Sequence, residues 1–378
     1  MITNSNKPGQ PLLEVATVFL KLGFFSFGGP AAHIAMMDEE IIKKRKWISR
    51  EHFLDLIGAT NLIPGPNSTE MALHCGRERA GLPGLIVAGL CFILPASAFT
   101  LGIAVLYSMY GRLPQLEVFF SGIRPALLSI MATAVFSLGR KALKAPPLFF
   151  IAGASLGASL LGADEILVLL SAGVAGLFFF SFRKHSASSI FPLGLFPASG
   201  FLDSGSTKLF FIFLKIGSVL YGSGYVLFAF LDDELVKTGW MDSKTLLDAI
   251  AAGQFTPGPV LSAATFAGYQ MAGFSGAAAA TIGVFLPSFF FVTALGPLIP
   301  RLRQSQMFSA FLDAVNAASI ALLVSIGIRM AAVTLSDWKS SVIAISAIAC
   351  TFSIKRWNGI YSVLLGAILG AAFHFLPF

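Results

Sequence analysis

Three basic residues, Lys21, Arg124 and Lys215, fall inside stretches apolar enough to cross a lipid bilayer. A cation buried in hydrocarbon is costly, so each needs an anionic partner or a task. Lys21 and Lys215 stand 194 residues apart in matching surroundings, Phe19-Leu-Lys-Leu-Gly23 and Phe213-Leu-Lys-Ile-Gly217. Two cations at matching places suit an anionic substrate held between them. The plainer alternative pairs each with a carboxylate such as Glu14, Asp55 or Asp248. Arg124 aligns with Asn316 and so breaks the match; it contacts substrate, snorkels or pairs. Just beyond the lysines come Phe27-Gly28-Gly29-Pro30 and Tyr221-Gly222-Ser223-Gly224. Consecutive glycines either unwind a span, freeing backbone N–H groups to face an anion, or let neighbouring helices pack closely.

Two further segments are apolar but carry Pro-Gly-Pro at their centre: Asn61 to Thr69 around Pro64-Gly65-Pro66, and Gln254 to Ser262 around Pro257-Gly258-Pro259. No continuous helix accepts that triplet. Pro66 and Pro259 suit the first turn of a short helix, whose N-terminus carries unsatisfied donors and about half a positive charge. Asn61, Asn67, Ser68, Gln254 and Thr256 add neutral polar groups without a fixed charge. An oxyanion fits such surroundings and a cation does not, although Pro-Gly-Pro also serves simply to turn the chain. The candidate substrate site is therefore Lys21, Lys215, Gly28, Gly29, Asn61, Gly65, Asn67, Ser68, Arg124, Gly222, Ser223, Gln254, Thr256 and Gly258. Coupling to protons needs a titratable group, for which Glu70, Asp55 and His74 are candidates.

The elements that carry these groups are membrane helices. Of 378 residues, 56% are hydrophobic and 12% charged. A soluble domain holds about a quarter charged residues, so the composition excludes a soluble enzyme, a nucleic-acid binder and a disordered scaffold. The net charge of +7 then reads as loop charge on one side of a membrane. Cys75, Cys91 and Cys350 make neither a disulfide framework nor a metal pair, no metal-ligand cluster is seen, and Met1 to Pro11 does not resemble a cleavable leader.

The chain is a duplication. Asp38-Glu-Glu40 matches Asp232-Asp-Glu234, Leu54-Asp55 matches Leu247-Asp248, and Leu94-Pro95 matches Leu286-Pro287. This divides it into a first repeat over 12–182, a linker over 183–206 and a second repeat over 207–376. Spans are expected near 12–36, 84–108, 119–140, 147–163 and 166–182, and near 208–231, 276–298, 309–330, 341–354 and 359–376. The Pro-Gly-Pro segments 53–75 and 246–270 are expected as re-entrant hairpins, lined by protein or a water-filled cavity. An odd number of crossings per half inverts the second repeat. With Lys43 to Arg50, Arg77 and Arg79 inside, most of the Lys and Arg fall on the cytoplasmic side, as the positive-inside rule asks. The fold class is thus an all-α polytopic membrane protein of two inverted-topology repeats, each about five transmembrane helices plus one re-entrant helical hairpin.

Taken together, Phe19-Leu-Lys-Leu-Gly23, Phe-Ser-Phe-Gly-Gly-Pro30, Asn61 with Pro-Gly-Pro-Asn67, Gly81 to Gly84 and Pro95 resemble the chromate ion transporter family, in its long two-domain form, over residues 12 to 376. The resemblance implies a multi-pass carrier of the bacterial cytoplasmic (inner) membrane that expels chromate, with sulfate as a similar tetrahedral dianion, drawing on the proton motive force. It implies no cofactor and no nucleic-acid partner, and admits a homodimer. The second copy departs from the motif at Tyr221-Gly-Ser-Gly224 and at Val260, which stands where Asn67 does, so the first hairpin is the better candidate for substrate contact. Two alternatives keep the architecture: uptake of sulfate or another oxyanion, and an intramembrane phosphatase-type enzyme with inverted repeats. The latter lacks a nearby arginine after Pro-Gly-Pro-Asn-Ser until Arg77.

Overall fold

The computed structural model describes residues 10–111, 113–183, 205–296, 305–354 and 357–375. The expected linker, apart from its ends, lies outside them, as do the loop charges Arg112, Lys184, Arg301, Arg303, Lys355 and Arg356. The described residues form helices and no strands. In chain order these are α1 Gln10–Phe25, α2 Gly29–Met37, α3 Arg50–Thr60, α4 Asn67–Tyr110, α5 Pro114–Ala142, α6 Pro146–Leu160 and α7 Glu165–Arg183. There follow α8 Gly205–Val219, α9 Leu227–Leu231, α10 Ser243–Phe255, α11 Ala263–Leu295, α12 Gln306–Thr334, α13 Trp338–Ser353 and α14 Gly359–Phe375. Helices α4, α5, α11 and α12 are long and apolar enough to cross a membrane alone, and α6, α7, α13 and α14 are shorter apolar helices.

Local sequence sets the helix ends. Ser49 Oγ accepts from the His52 N–H at the start of α3, Asp242 from the Thr245 N–H at α10, and Asp337 from the Ser340 N–H at α13, each satisfying a donor the helix itself cannot. Prolines at the first turn open α2, α5 and α6. Helices α4 and α11 each bend sharply, at Ala80–Gly81 and Ala272–Gly273. The arms on either side of each bend pack backbone to backbone through Gly76 with Gly84 and through Gly268 with Gly276.

The first expected span in each half is two shorter helices that fold back. Arg79 bonds Glu14 at 2.6 Å and sits 5.6 Å from the Trp47 ring centroid. A straight helix from 14 to 47 would separate its ends by about 50 Å. In the second half the Lys208 ammonium likewise sits 3.7 Å from the Trp240 ring centroid. The reason is local: the chain leaves helical geometry at Ser26–Gly28 and again at Leu220–Ser223.

The two halves interlock. Helices α6 and α7 pack on α12, whereas α13 and α14 pack on α5; α4 meets α11, and α5 meets α12. Arg77, at the end of the first hairpin, donates to the Val292 carbonyl at 2.8 Å near the end of α11. Reciprocally, Tyr107 near the end of α4 donates to Asp248 in the second hairpin at 2.8 Å. At the α5–α14 crossing a Cβ on Gly122 would strike the Gly366 carbonyl and come within 2.7 Å of the Gly370 Cα, the close approach small residues permit in membranes. Gly122→Val should therefore push these helices apart at a cost of about 1–3 kcal/mol. A lowered thermal midpoint in detergent would show it, and an unchanged midpoint would count against this crossing.

Candidate functional site

The two helix breaks and the two Pro-Gly-Pro turns meet in reciprocal fashion. A helix ends with carbonyls that lack an intrahelical donor. The Gly258 N–H donates to the Ser26 carbonyl at 2.9 Å, and the Gly65 N–H donates to the Leu220 carbonyl at 2.7 Å. Each hairpin tip of one half thus plugs the helix break of the other. The tips also face the residues that follow Pro95 and Pro287: a Cβ on Gly258 would lie 2.8 Å from the Ala96 Cβ, and one on Gly65 would lie 2.7 Å from the Ser288 Oγ. Donors remain beside these plugs, because the N-termini of α2 at Gly28 and of α4 at Pro66 have no side-chain cap.

The first tip is tied by its asparagines. Asn67 Nδ2 donates to Asn61 Oδ1 at 2.8 Å, and Asn61 Nδ2 donates to the Ile57 carbonyl at 2.9 Å. Ser68 is buried in the first turn of α4. At the second tip Thr256 Oγ1 lies 3.2 Å from Thr100 Oγ1 and 3.3 Å from Ser262 Oγ, while the buried Gln254 amide nitrogen has no partner. At the breaks Gly28 has a φ of 108° and Gly222 of 88°. Gly29 faces the Tyr225 hydroxyl, Gly222 faces Asn316 and Ser319, and the Ser223 hydroxyl accepts from the Tyr225 N–H at 3.4 Å.

The cations expected around one substrate each have a carboxylate. Lys21 bonds Glu40 at 2.8 Å, and Lys215 bonds Glu234 at 2.6 Å. The partners are neither Glu14, Asp55 nor Asp248. Glu40 lies in the π-helical segment Asp38–Lys44 that continues α2, where the hydrogen bond from Lys21, joined by Lys44 and Arg45, holds its carboxyl at about 2 despite burial. It is therefore an anion at any physiological pH. Arg124 is wholly engaged: it grips Asp248 with two bonds of 2.9 and 2.8 Å and reaches Glu117 at 2.6 Å. Asp164, Asp233 and Glu234 bring carboxylate oxygens within 4.8 Å of one another, but Lys215 and Lys237 bond this group.

Among the proton-coupling candidates, Asp55 is exposed on α3. Glu70 and His74 are buried on the first arm of α4; neither Glu70 oxygen nor His74 Nε2 has a hydrogen-bond partner. Sequence reasoning passed over Glu117, Tyr225, Ser288 and Asn316 as site neighbours. Glu40 and Glu234 were within its reach, since they occupy matching repeat positions, each 19 residues after its lysine.

No solved structure matches the chain. Curated relatives span it almost entirely. A probable chromate transport protein of Synechococcus elongatus is 26% identical over 97% of this chain and 96% of its own. An uncharacterised transporter of Methanocaldococcus jannaschii is 29% identical over 95% and 93%. A chromate transport protein of Cupriavidus metallidurans is 27% identical over 96% and 93%. The family model described as chromate transporter matches twice, over residues 13–177 and 207–371. A membrane protein of packed helices, with both copies of that model running through the interlocked halves, this chain belongs to the chromate transporter family.

Proposed function

We propose that the protein is a secondary carrier that exports chromate across the bacterial cytoplasmic membrane at the expense of the proton motive force, with sulfate as a competing dianion. The observation that carries this reading is the crosswise plugging of each helix break by the opposite tip. It brings uncapped helix N-termini and neutral polar side chains into one region built by both halves, which suits a tetrahedral oxyanion. Asn61, Asn67 and Ser68, with the backbone at Gly28 and Gly29, are its proposed ligands, and Gln254, Thr256, Gly222 and Ser223 their weaker counterparts. Lys21 and Lys215 each hold an internal anion for which an entering dianion competes; Arg124 braces the second hairpin. The reciprocal contacts of Arg77 with Val292 and of Tyr107 with Asp248 support halves of opposite orientation. Both tips are plugged within one chain, so the proposed site needs no second copy even in a homodimer.

The test is uptake of labelled chromate into everted vesicles, with and without a proton gradient and with excess sulfate. Gradient-dependent accumulation blocked by sulfate is expected, together with loss of that accumulation in Lys21→Ala and Lys215→Ala. Sulfate uptake into right-side-out vesicles, without chromate accumulation in everted ones, would reverse the direction and the substrate. Wild-type transport by both variants would remove the lysines from the site.

A further inference from the structure

The first arm of α4 carries titratable groups that the substrate site does not use. Glu70, His74 and Glu78 follow one another at intervals of four residues, so they lie on one face of the helix about 6 Å apart in rise. Along that face the setting changes steadily. Glu70 is fully buried beside the tip glycine Gly65, with neither carboxylate oxygen hydrogen-bonded. His74 is 5% exposed, and its Nε2 is also without a partner. Glu78 is well exposed and lies 3.3 Å from the exposed His52 ring of α3. A carboxyl group buried without a hydrogen bond is costly, and an intramembrane ionisable group is retained where it has work to do.

The second hairpin has nothing comparable: from Val260 to Met271 it carries no acidic or histidine side chain. The stripe is therefore one-sided, and its outer end shares a face of the molecule with Trp47 and Arg79. The adjoining segment from Lys43 to Arg50 holds Lys43, Lys44, Arg45, Lys46 and Arg50, which the positive-inside rule assigns to the cytoplasm. The charged and titratable groups facing the stripe are Tyr221 at the Glu70 end, and His52 and Arg77 about His74.

We infer that Glu70 is the proton-carrying residue of the transport cycle and that His74, with the Glu78–His52 pair, is its route to the cytoplasm. The inference rests on the proton-driven reading above. A proton held on the Glu70 carboxyl passes to His74 Nε2, and the imidazolium passes a proton on to the surface pair and water; no bond other than those to hydrogen changes. Because Gly65 joins Glu70 to the plug on Leu220, loading and unloading of that carboxyl act on the contact that ties the first tip to the second half.

The test uses the full chain in liposomes and compares two readouts: accumulation of labelled chromate driven by a pH gradient, and chromate counterflow at equal pH. In Glu70→Gln the ratio of driven transport to counterflow should fall on the order of 100-fold. In His74→Gln and Glu78→Gln it should fall about tenfold and become steeply dependent on cytoplasmic-side pH. A wild-type ratio in Glu70→Gln overturns the inference. If that variant loses counterflow as well, His74→Gln and Glu78→Gln decide, and wild-type ratios in both overturn the route. Wild-type protein that exchanges chromate but gains nothing from a pH gradient overturns the proton-driven reading and the route with it. Gradient-driven wild-type transport with an unaltered Glu70→Gln overturns the inference and leaves the proton-driven reading standing.

Discussion

Gly65→Val is expected to abolish chromate transport, and Gly258→Val to do nearly the same. Gly65 has a φ of 141° and Gly258 of 83°, a region that a β-branched side chain enters only at a cost of about 1–3 kcal/mol. Space is lacking as well. A Cβ on Gly65 would collide with the Glu70 carboxyl and lie 2.7 Å from Ser288 Oγ; one on Gly258 would lie 2.8 Å from the Ala96 Cβ. The tip must then withdraw, and its N–H loses the carbonyl of the opposite half, Leu220 for Gly65 and Ser26 for Gly258. The defect belongs to the plug rather than to the remainder of the fold, because the hairpin arms pack through other residues. Monodisperse protein in detergent without transport is the expected pairing of results. Full transport by both variants would sink the crosswise plug.

Arg124→Ala should cause the largest loss of stability. The Arg124 side chain is 10% exposed and the Asp248 side chain is fully buried. Removing one member of such a pair leaves a charge without compensation and costs about 3–5 kcal/mol. Tyr107 would remain on Asp248, and Glu117 would lose its partner, so the second hairpin loosens from α5. Asp248→Asn should act in the same direction with a smaller effect, because its amide oxygen still accepts from Arg124. The double change Arg124→Met with Asp248→Leu should recover much of the midpoint lost by Arg124→Ala, since an apolar pair of similar volume removes the stranded charge. The thermal midpoint of the purified protein checks the series. An unaltered midpoint in Arg124→Ala would mean that the pair contributes nothing to the fold.

Much of the architecture was legible because hydrophobicity and repetition are properties of the chain itself. An all-α membrane protein followed from a composition that no soluble domain matches, and the helical structure and family assignment agree with it. The glycine pairs at 28–29 and 222–224 marked real interruptions, since positive φ and helix-breaking residues act within a few residues. The ion pairs were legible only in part. Lys21 and Lys215 called for carboxylates, with Glu14, Asp55 and Asp248 as the alternatives, whereas the fold-back at Ser26–Gly28 carries Glu40 to the first. Arg124 found Asp248 124 residues away, a distance over which no local pattern operates.

The sequence by itself determined that this protein is a duplicated bundle of membrane helices, where its helices break, and which residue types stand at those breaks. These follow from transfer free energy and backbone sterics, which each short segment carries with it. Only the tertiary structure decided that each tip plugs the opposite half, that the terminal helix pairs are exchanged between halves, and that the lysines and Arg124 already hold carboxylates. Those outcomes depend on which orphaned carbonyl, buried charge or glycine face meets which partner across the packed bundle. That choice is made by the sum of all helix contacts at once and leaves no signature in any one of them.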